Sequence, residues 1–257
     1  MSNLGKCSFI DEPTSLPKES LRQMSEGSSA AFFDVDGTLV DSVQLHAACW
    51  HETFAAFGKQ VPVSEISKQI GKGSDQLLPV FFSETEIARI GEEVDRHHGH
   101  LFHDKYIHKV RPFPKVRELL TRLREDGVFI ALASSADRED LEHYKRLAGI
   151  QDLVDHETTS EEVEKSKPHP DLFAVALEAL GAPPAEQVVV IGDSPYDSQA
   201  AGKLGLRTIG LLSGGFAREE LLEAGCIEIH RDPEDLYDHY MKSILAALAR
   251  PETRRAG

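Results

Sequence analysis

Ala30-Ala31-Phe32-Phe33-Asp34-Val35-Asp36-Gly37-Thr38-Leu39-Val40-Asp41 is the stretch on which the fold turns. Four apolar residues run without a break and stop at an aspartate. A short apolar run with no polar alternation is the pattern of a strand buried on both faces. Three further runs share the form: Val128–Ala133 stops at Ser134-Ser135, Val188–Ile191 at Gly192-Asp193, and Thr208–Leu212 at Ser213-Gly214-Gly215. Helical patterns lie between them. Over 115–126 the apolar stripe is Val116, Leu119, Leu120 and Leu123, closed by Gly127. The segment 170–180 opens with Pro170 and closes at Gly181, and 217–224 closes at Gly225. Strands alternating with helices predict an α/β fold, a doubly wound, Rossmann-like parallel sheet. Ligands of such sheets bind at the carboxyl ends of the strands. The polar residues that end the runs are therefore the candidates for chemistry.

The stretch 45–111 breaks this rhythm. It reads as helical, with Trp50, Phe54 and Phe57 near helical spacing and no strand run, and is expected to be an inserted helical domain. The expected organisation is an N-terminal arm over 1–27, a core made of 28–44 and 112–248, the insertion over 45–111, and a tail over 249–257.

Composition narrows the partners. Among 257 residues, 43 Asp and Glu outnumber 28 Lys and Arg, for a net charge of −15. Such a chain is repelled by nucleic-acid phosphates and anionic membrane surfaces. No apolar run approaches the roughly 18–20 residues of a membrane span. The first twenty residues lack the basic start and apolar centre of a secretory signal. Cys7, Cys49 and Cys226 are too few and too scattered for a disulfide framework or a zinc knuckle, and are read as buried or inert thiols. A cytoplasmic monomer is expected.

Four segments carry chemistry. In Asp34-Val35-Asp36, two carboxylates two residues apart just past a strand suit cation binding and a division of labour between nucleophile and acid/base. Ser134-Ser135 offers hydroxyls and backbone N–H groups to phosphate oxygens. Lys167, in Lys167-Pro168-His169-Pro170-Asp171, offers a point charge. Asp193 and Asp197 place two more acids after a strand, where crowding them is costly without a cation.

In this order the four segments resemble motifs I to IV of the haloacid dehalogenase superfamily, over about residues 30 to 230. The resemblance implies a helical cap between motifs I and II and Mg²⁺-dependent hydrolysis of a small phosphorylated metabolite. Asp34 would be the nucleophile, forming an aspartyl-phosphate, and Asp36 the general acid and base. Ser134 and Lys167 would spread the charge of the transferring phosphoryl group. Asp34, the Asp36 carbonyl, Asp193 and Asp197 would hold the metal, Asp197 through water or by steadying the others. Retention of Asp36 favours a phosphate ester over an alkyl halide, whose departure needs no proton. Thr38, Ser135, His46 and Lys72 are candidate substrate contacts, Lys72 within the loop 70–75 that resembles the family's specificity loop. His46, ten residues after Asp36, matches the histidine of β-phosphoglucomutase-like members, so a sugar phosphomutase is the alternative. A silent phosphate- or cation-binding module on the same fold is the third reading. Hinges are expected near 43–44 and 110–112. The histidines His97, His98, His100, His103 and His108 come without a cysteine in a charged stretch, and a solvated helix is expected there.

Overall fold

The computed structural model describes residues 24–25 and 27–249; the expected arm and Cys7 therefore lie largely or wholly outside the described residues, and so does nearly all of the tail. The strands are β1 (Ala30–Phe33), β2 (Val40–Asp41), β3 (Arg111–Pro112), β4 (Phe129–Ala133), β5 (His156–Thr158), β6 (Val188–Gly192), β7 (Arg207–Leu211) and β8 (Cys226–His230). Six form one sheet in the order β5-β4-β1-β6-β7-β8, and every pairing in it is parallel. The four apolar runs occupy its four central positions, because only there are both faces covered. The two edges were not expected from the sequence. β5 is three residues long and all three are polar, and only two of the five β8 residues, Cys226 and Ile229, are buried, as on a half-covered edge.

The pleat sends successive residues of each central strand to opposite faces. Ala31, Phe33, Ile130, Leu132, Val189 and Ile191 join one apolar cluster, together with Val116, Leu119, Leu120 and Leu123 of the helix over Val116–Glu125. Ala30, Phe32, Ala131, Ala133, Val188 and Val190 join the other, against Leu172, Phe173 and Ala176. The result is a three-layer α/β/α core. The helices are α1 (Val43–Ala56), α2 (Val63–Ser67), α3 (Ser74–Phe81), α4 (Glu84–Lys105), α5 (Val116–Glu125), α6 (Arg138–Ala148), α7 (Asp171–Ala179), α8 (Pro195–Gly202), α9 (Arg218–Glu223), α10 (Pro233–Asp238) and α11 (Leu245–Leu248).

Helices α1 to α4 fill the interval between β2 and β3, which pair antiparallel as a two-stranded ribbon, Val40 opposite Pro112 and Asp41 opposite Arg111. This segment buries its own cluster, with Trp50, Phe54, Ile66, Leu77, Phe82 and Val94 at its centre. Its longest helix, α4, opens on a capping box in which Ser83 accepts from the Glu86 amide while the Glu86 carboxylate accepts from that of Ser83. Cys49 and Cys226 are both buried and unbridged.

Candidate active site

The strand order places chemistry at one point. The chain leaves β1 towards β4 and β5, then returns to lay β6 on the other side of β1, so the crevice between the ends of β1 and β6 is where the winding reverses. The register there is tight: the Asp34 amide donates to the Ile191 carbonyl over 2.9 Å. Asp34 and Asp193, 159 positions apart in sequence, thus leave neighbouring strands side by side.

Gly37 makes the exit from β1 possible. Its φ is +83°, and a Cβ there would come within 2.2 Å of Asp193 Oδ2, so both the left-handed backbone and the space demand glycine. Its amide donates to the Val40 carbonyl over 2.8 Å, folding the loop back on itself. Gly214, after β7, closes the other side of Asp193, since a Cβ there would meet the same oxygen at 2.1 Å. In the sequence Gly214 is visible only as a residue that stops an apolar run.

Asp34, Asp193 and Asp197 each present a carboxylate oxygen within 4.8 Å of the others, and all three are buried. Asp34 Oδ2 takes no hydrogen bond among the described residues. Burial, reinforced by the neighbouring Asp197 and Asp36 charges against the opposing pull of Lys167, pushes the Asp34 carboxyl above the ordinary carboxylate range. Burial and the charges of Asp34 and Asp197 push Asp193 well above it. An all-oxygen donor set, an orphaned oxygen and uncompensated acids together fit a hard divalent cation. Lys167, fully buried, donates to Asp34 and to the Ala133 carbonyl (2.9 Å), and its amine stands 2.8 Å from Asp197. Asp197 is held from behind by the Ser194 amide and hydroxyl, at 3.1 and 2.6 Å. That arrangement leaves Asp197 bracing Lys167 from beneath rather than lining the cavity.

Asp36 turns its carboxylate away from this trio. It accepts from Ser42 Oγ at 2.5 Å and faces His46 Nε2 at 3.2 Å. Burial works to raise its pKa, but the imidazole beside it and the Ser42 hydrogen bond outweigh burial and hold it below the ordinary range. His46 is itself fixed by parallel stacking on Phe102, centroids 3.9 Å apart. Ser42 was not singled out from the sequence; a serine after a motif carries no pattern of its own, and only the turn into α1 aims it.

A cavity of about 750 Å³ opens above these groups, lined by Asp34, Asp36, His46, Lys72 and Ser135 among others. Ser134 lies beneath it, fully buried, its Oγ accepting from the Ala136 amide over 3.1 Å. Thr38, expected among the substrate contacts, is instead fully buried, and its hydroxyl donates to Asp193 over 3.2 Å. The reason is the Gly37 turn, which folds Thr38 inward. Lys72 borders the cavity, but its amine donates to Gln69 Oε1 (2.6 Å) and sits 4.6 Å from the centre of the Tyr196 ring. The histidine group divides. His98 is stacked on Trp50 at 3.8 Å and held well below its ordinary pKa by burial first, then by His46 and His97. His103 pairs with Asp140 on α6 at 2.8 Å. A uniformly solvated helix is therefore not what forms, because α4 faces the cavity with one side.

The profile of the family described as haloacid dehalogenase-like hydrolase matches residues 31–211, from the first strand to the end of β7. The chain belongs to that family. Its relatives include the phosphorylated carbohydrates phosphatase of Thermotoga maritima, 28% identical over 226 residues that make up 84% of this chain and 99% of the relative. The pyrophosphatase PpaX of Halalkalibacterium halodurans is 27% identical over 187 residues, covering 70% and 81%. Among solved structures, a hydrolase from Pseudomonas syringae superposes with a TM-score of 0.77 at 29% identity, covering 84% of this chain and 99% of that one. The family's hydrolase fold thus extends through the sheet and the helical segment alike.

Proposed function

We propose that the chain is a Mg²⁺-dependent phosphatase that hydrolyses a small phosphorylated metabolite through an aspartyl-phosphate on Asp34. The observation that carries this reading is that Asp34 and Asp36 both border the cavity while Lys167, Asp193 and Asp197 converge on Asp34 from behind. Asp34 attacks phosphorus. Lys167 holds one of its oxygens and offsets the repulsion between a carboxylate and a phosphate dianion. The Ser134 hydroxyl and the backbone amides beside it donate to the non-bridging oxygens, and Ser135 faces the substrate. A divalent cation held by Asp34, Asp193 and the Asp36 carbonyl would supply further charge compensation for the phosphoryl group.

Asp36 changes role between steps. At rest its depressed pKa makes it a carboxylate. A phosphate dianion arriving beside it raises that pKa, which lets it carry the proton for the leaving oxygen. After the leaving group departs, the carboxylate takes a proton from the water that hydrolyses the phosphoenzyme. Helices α1 to α4 act as a cap that excludes water, with domain boundaries near 45 and 111 and hinges at the β2–β3 ribbon. The relatives named as a phosphorylated carbohydrates phosphatase and a pyrophosphatase support phosphate chemistry. No helix among the described residues is long and apolar enough to cross a membrane, and a cytoplasmic monomer acting on a small molecule fits the reading.

The His46–Asp36 contact favours a second reading, a sugar phosphomutase in which His46 moves a sugar proton. Against it, the Lys72 amine faces Gln69 and Tyr196 instead of offering a grip for a second phosphate. A phosphate-release screen over a panel of phosphomonoesters with Mg²⁺ decides. Release without a bisphosphate primer, abolished by Asp34→Asn, is expected. Phosphate conserved on the product, with turnover only in the presence of a primer, would establish the mutase. No turnover of any phosphate ester would leave the silent module.

A further inference from the structure

The β8 edge of the sheet carries a histidine that the proposed phosphoryl transfer does not use. His230 ends that strand, and its side chain is only 10% exposed. The pleat sets Glu228 and His230 on one face of β8, where the ring Nε2 meets the Glu228 carboxylate at 2.6 Å. The ring Nδ1 meets Asp235 of α10 at 3.3 Å. Both carboxylates are tied to backbone as well. Glu228 Oε2 accepts from the Ile244 amide over 3.0 Å, and Asp235 Oδ2 from the Arg231 amide over 3.0 Å. The chain beyond β8 buries Leu236, Tyr240, Leu245 and Leu248 in the apolar cluster that holds α5. His230 therefore sits where the edge strand and the C-terminal segment are joined.

We infer that His230 is a proton-operated latch: as an imidazolium between Glu228 and Asp235 it clamps the segment 233–248 to the edge strand, and on losing its proton it lets go. An ionised carboxylate only accepts hydrogen bonds, so a ring with a carboxylate at each nitrogen must donate from both, and only the imidazolium does. Release of one proton to solvent aims a lone pair at a carboxylate and leaves Glu228 and Asp235 facing a neutral ring. Burial works to lower the pKa of the ring, but the two carboxylates outweigh it and raise it above the ordinary 6.5. Burial is likewise outweighed at Glu228, which His230 and the Ile244 amide hold below the ordinary range. The Arg231 amide, with His230, holds Asp235 down too. The second histidine at Asp235 is His239, its Nδ1 3.1 Å from Oδ1 and its ring centre 6.1 Å from that of His230. Arg231 turns its side chain to Asp232 and Glu234. A raised histidine stabilises fully below its unfolded value, so the clamp is complete below about pH 6.5, as far down as Glu228 and Asp235 stay ionised. It is lost as pH rises through the folded value of His230. Buried His98, whose pKa is lowered, acts with the opposite sign.

Amide hydrogen exchange of the full chain, read by mass spectrometry on peptides spanning 226–248 and corrected for the intrinsic effect of pH, tests this without any measurement of activity. Protection of these peptides is expected to fall as pH rises above 6.5, by about tenfold for each unit by which the ring is raised. Peptides from the central strands β1 and β4 should keep their protection over the same range. In His230→Gln the side-chain amide can still donate to Glu228 but carries no titrating charge, so the fall should disappear. His239→Gln should retain it. Imidazole proton resonances of wild type keep the test decisive if His230→Gln misfolds. His230 is expected to titrate above 6.5, and at lower pH in Asp235→Asn, which removes one of its two charged partners. Protection that does not change with pH in wild type, a fall that persists in His230→Gln or vanishes in His239→Gln, or a His230 titration at or below 6.5 would overturn the latch.

Discussion

Asp36 and Gly37 are adjacent residues with opposite kinds of dependence on their surroundings. Asp36 depends on what faces it. Asp36→Asn keeps the Ser42 and His46 contacts sterically but removes the proton acceptor, so kcat is expected to fall about 10²–10⁴-fold, the span of general acid–base catalysis. Steady-state phosphate release measures it, and unchanged turnover would remove Asp36 from the mechanism. Ser42→Ala should cost far less, because it only loosens the carboxylate's orientation. Gly37 depends on having nothing there. With φ at +83° and Asp193 Oδ2 where a methyl would go, Gly37→Ala should destabilise the fold by about 1–3 kcal/mol in denaturant unfolding. It should also weaken Mg²⁺ binding, because Asp193 must move. Both residues were legible in the sequence as types, Asp for chemistry and Gly for a turn. Thr38 was not: its hydroxyl is one a substrate could use, and only the inward turn of the loop commits it to Asp193.

At the scale of elements, the central strands declared themselves because both their faces are buried, which leaves them apolar apart from Arg207 and Thr208 at the start of β7. Helix α5 declared itself by its single apolar stripe. Helix α6 did not, since its buried side is Asp140, Leu141, Tyr144 and Lys145, half of it polar. Removing one member of a clear stripe should be expensive. Leu120 is fully buried, and Leu120→Ala is expected to cost about 2–5 kcal/mol by equilibrium unfolding. Helix α4 carries a pH dependence of its own. His98 is held neutral by burial against Trp50, well below the ordinary 6.5. The unfolded chain therefore binds the extra proton more readily. Stability is complete above about pH 6.5 and is lost as pH falls from there towards the folded value. Thermal midpoints should drop on that acid limb, and His98→Phe, which keeps the stack, should flatten it. An identical slope in the variant would assign the acid loss to the carboxylates.

At the scale of the molecule, what matters is how the helical segment meets the core. The Gly73 amide donates to Ser166 Oγ over 2.8 Å, the Ser166 amide to Asp75 over 3.1 Å, and the Tyr196 hydroxyl to the Lys68 carbonyl over 2.6 Å. Gly71, with φ at +103°, lets that loop approach Ser194, whose Oγ would lie 2.7 Å from an added Cβ. These contacts join two separately packed clusters, so breaking them should change closure rather than folding. Ser166→Ala with Tyr196→Phe is expected to raise KM several-fold while the thermal midpoint stays nearly constant. A midpoint that fell with KM would mean that the contacts hold the fold itself. Ser166 and Tyr196 could not be found from sequence, because their partners lie more than ninety positions away.

The sequence by itself determined the sheet's central strands, and it marked the helical stretch after β2 and the acids and lysine at the strand ends as candidates. Each of these follows from local constraints: burial on two faces, helical periodicity, and polar residues that have no reason to end an apolar run unless they do chemistry. Tertiary structure alone decided which of those polar groups face the cavity and which stand behind it. It separated Asp36 from the Asp34 trio, buried Thr38 against Asp193, left Lys72 on the cavity rim beside Gln69 and Tyr196, and brought His103 of the insertion against Asp140 of the core. Those outcomes depend on contacts between residues far apart in the chain, and no local pattern encodes the direction in which a side chain points once two layers have packed.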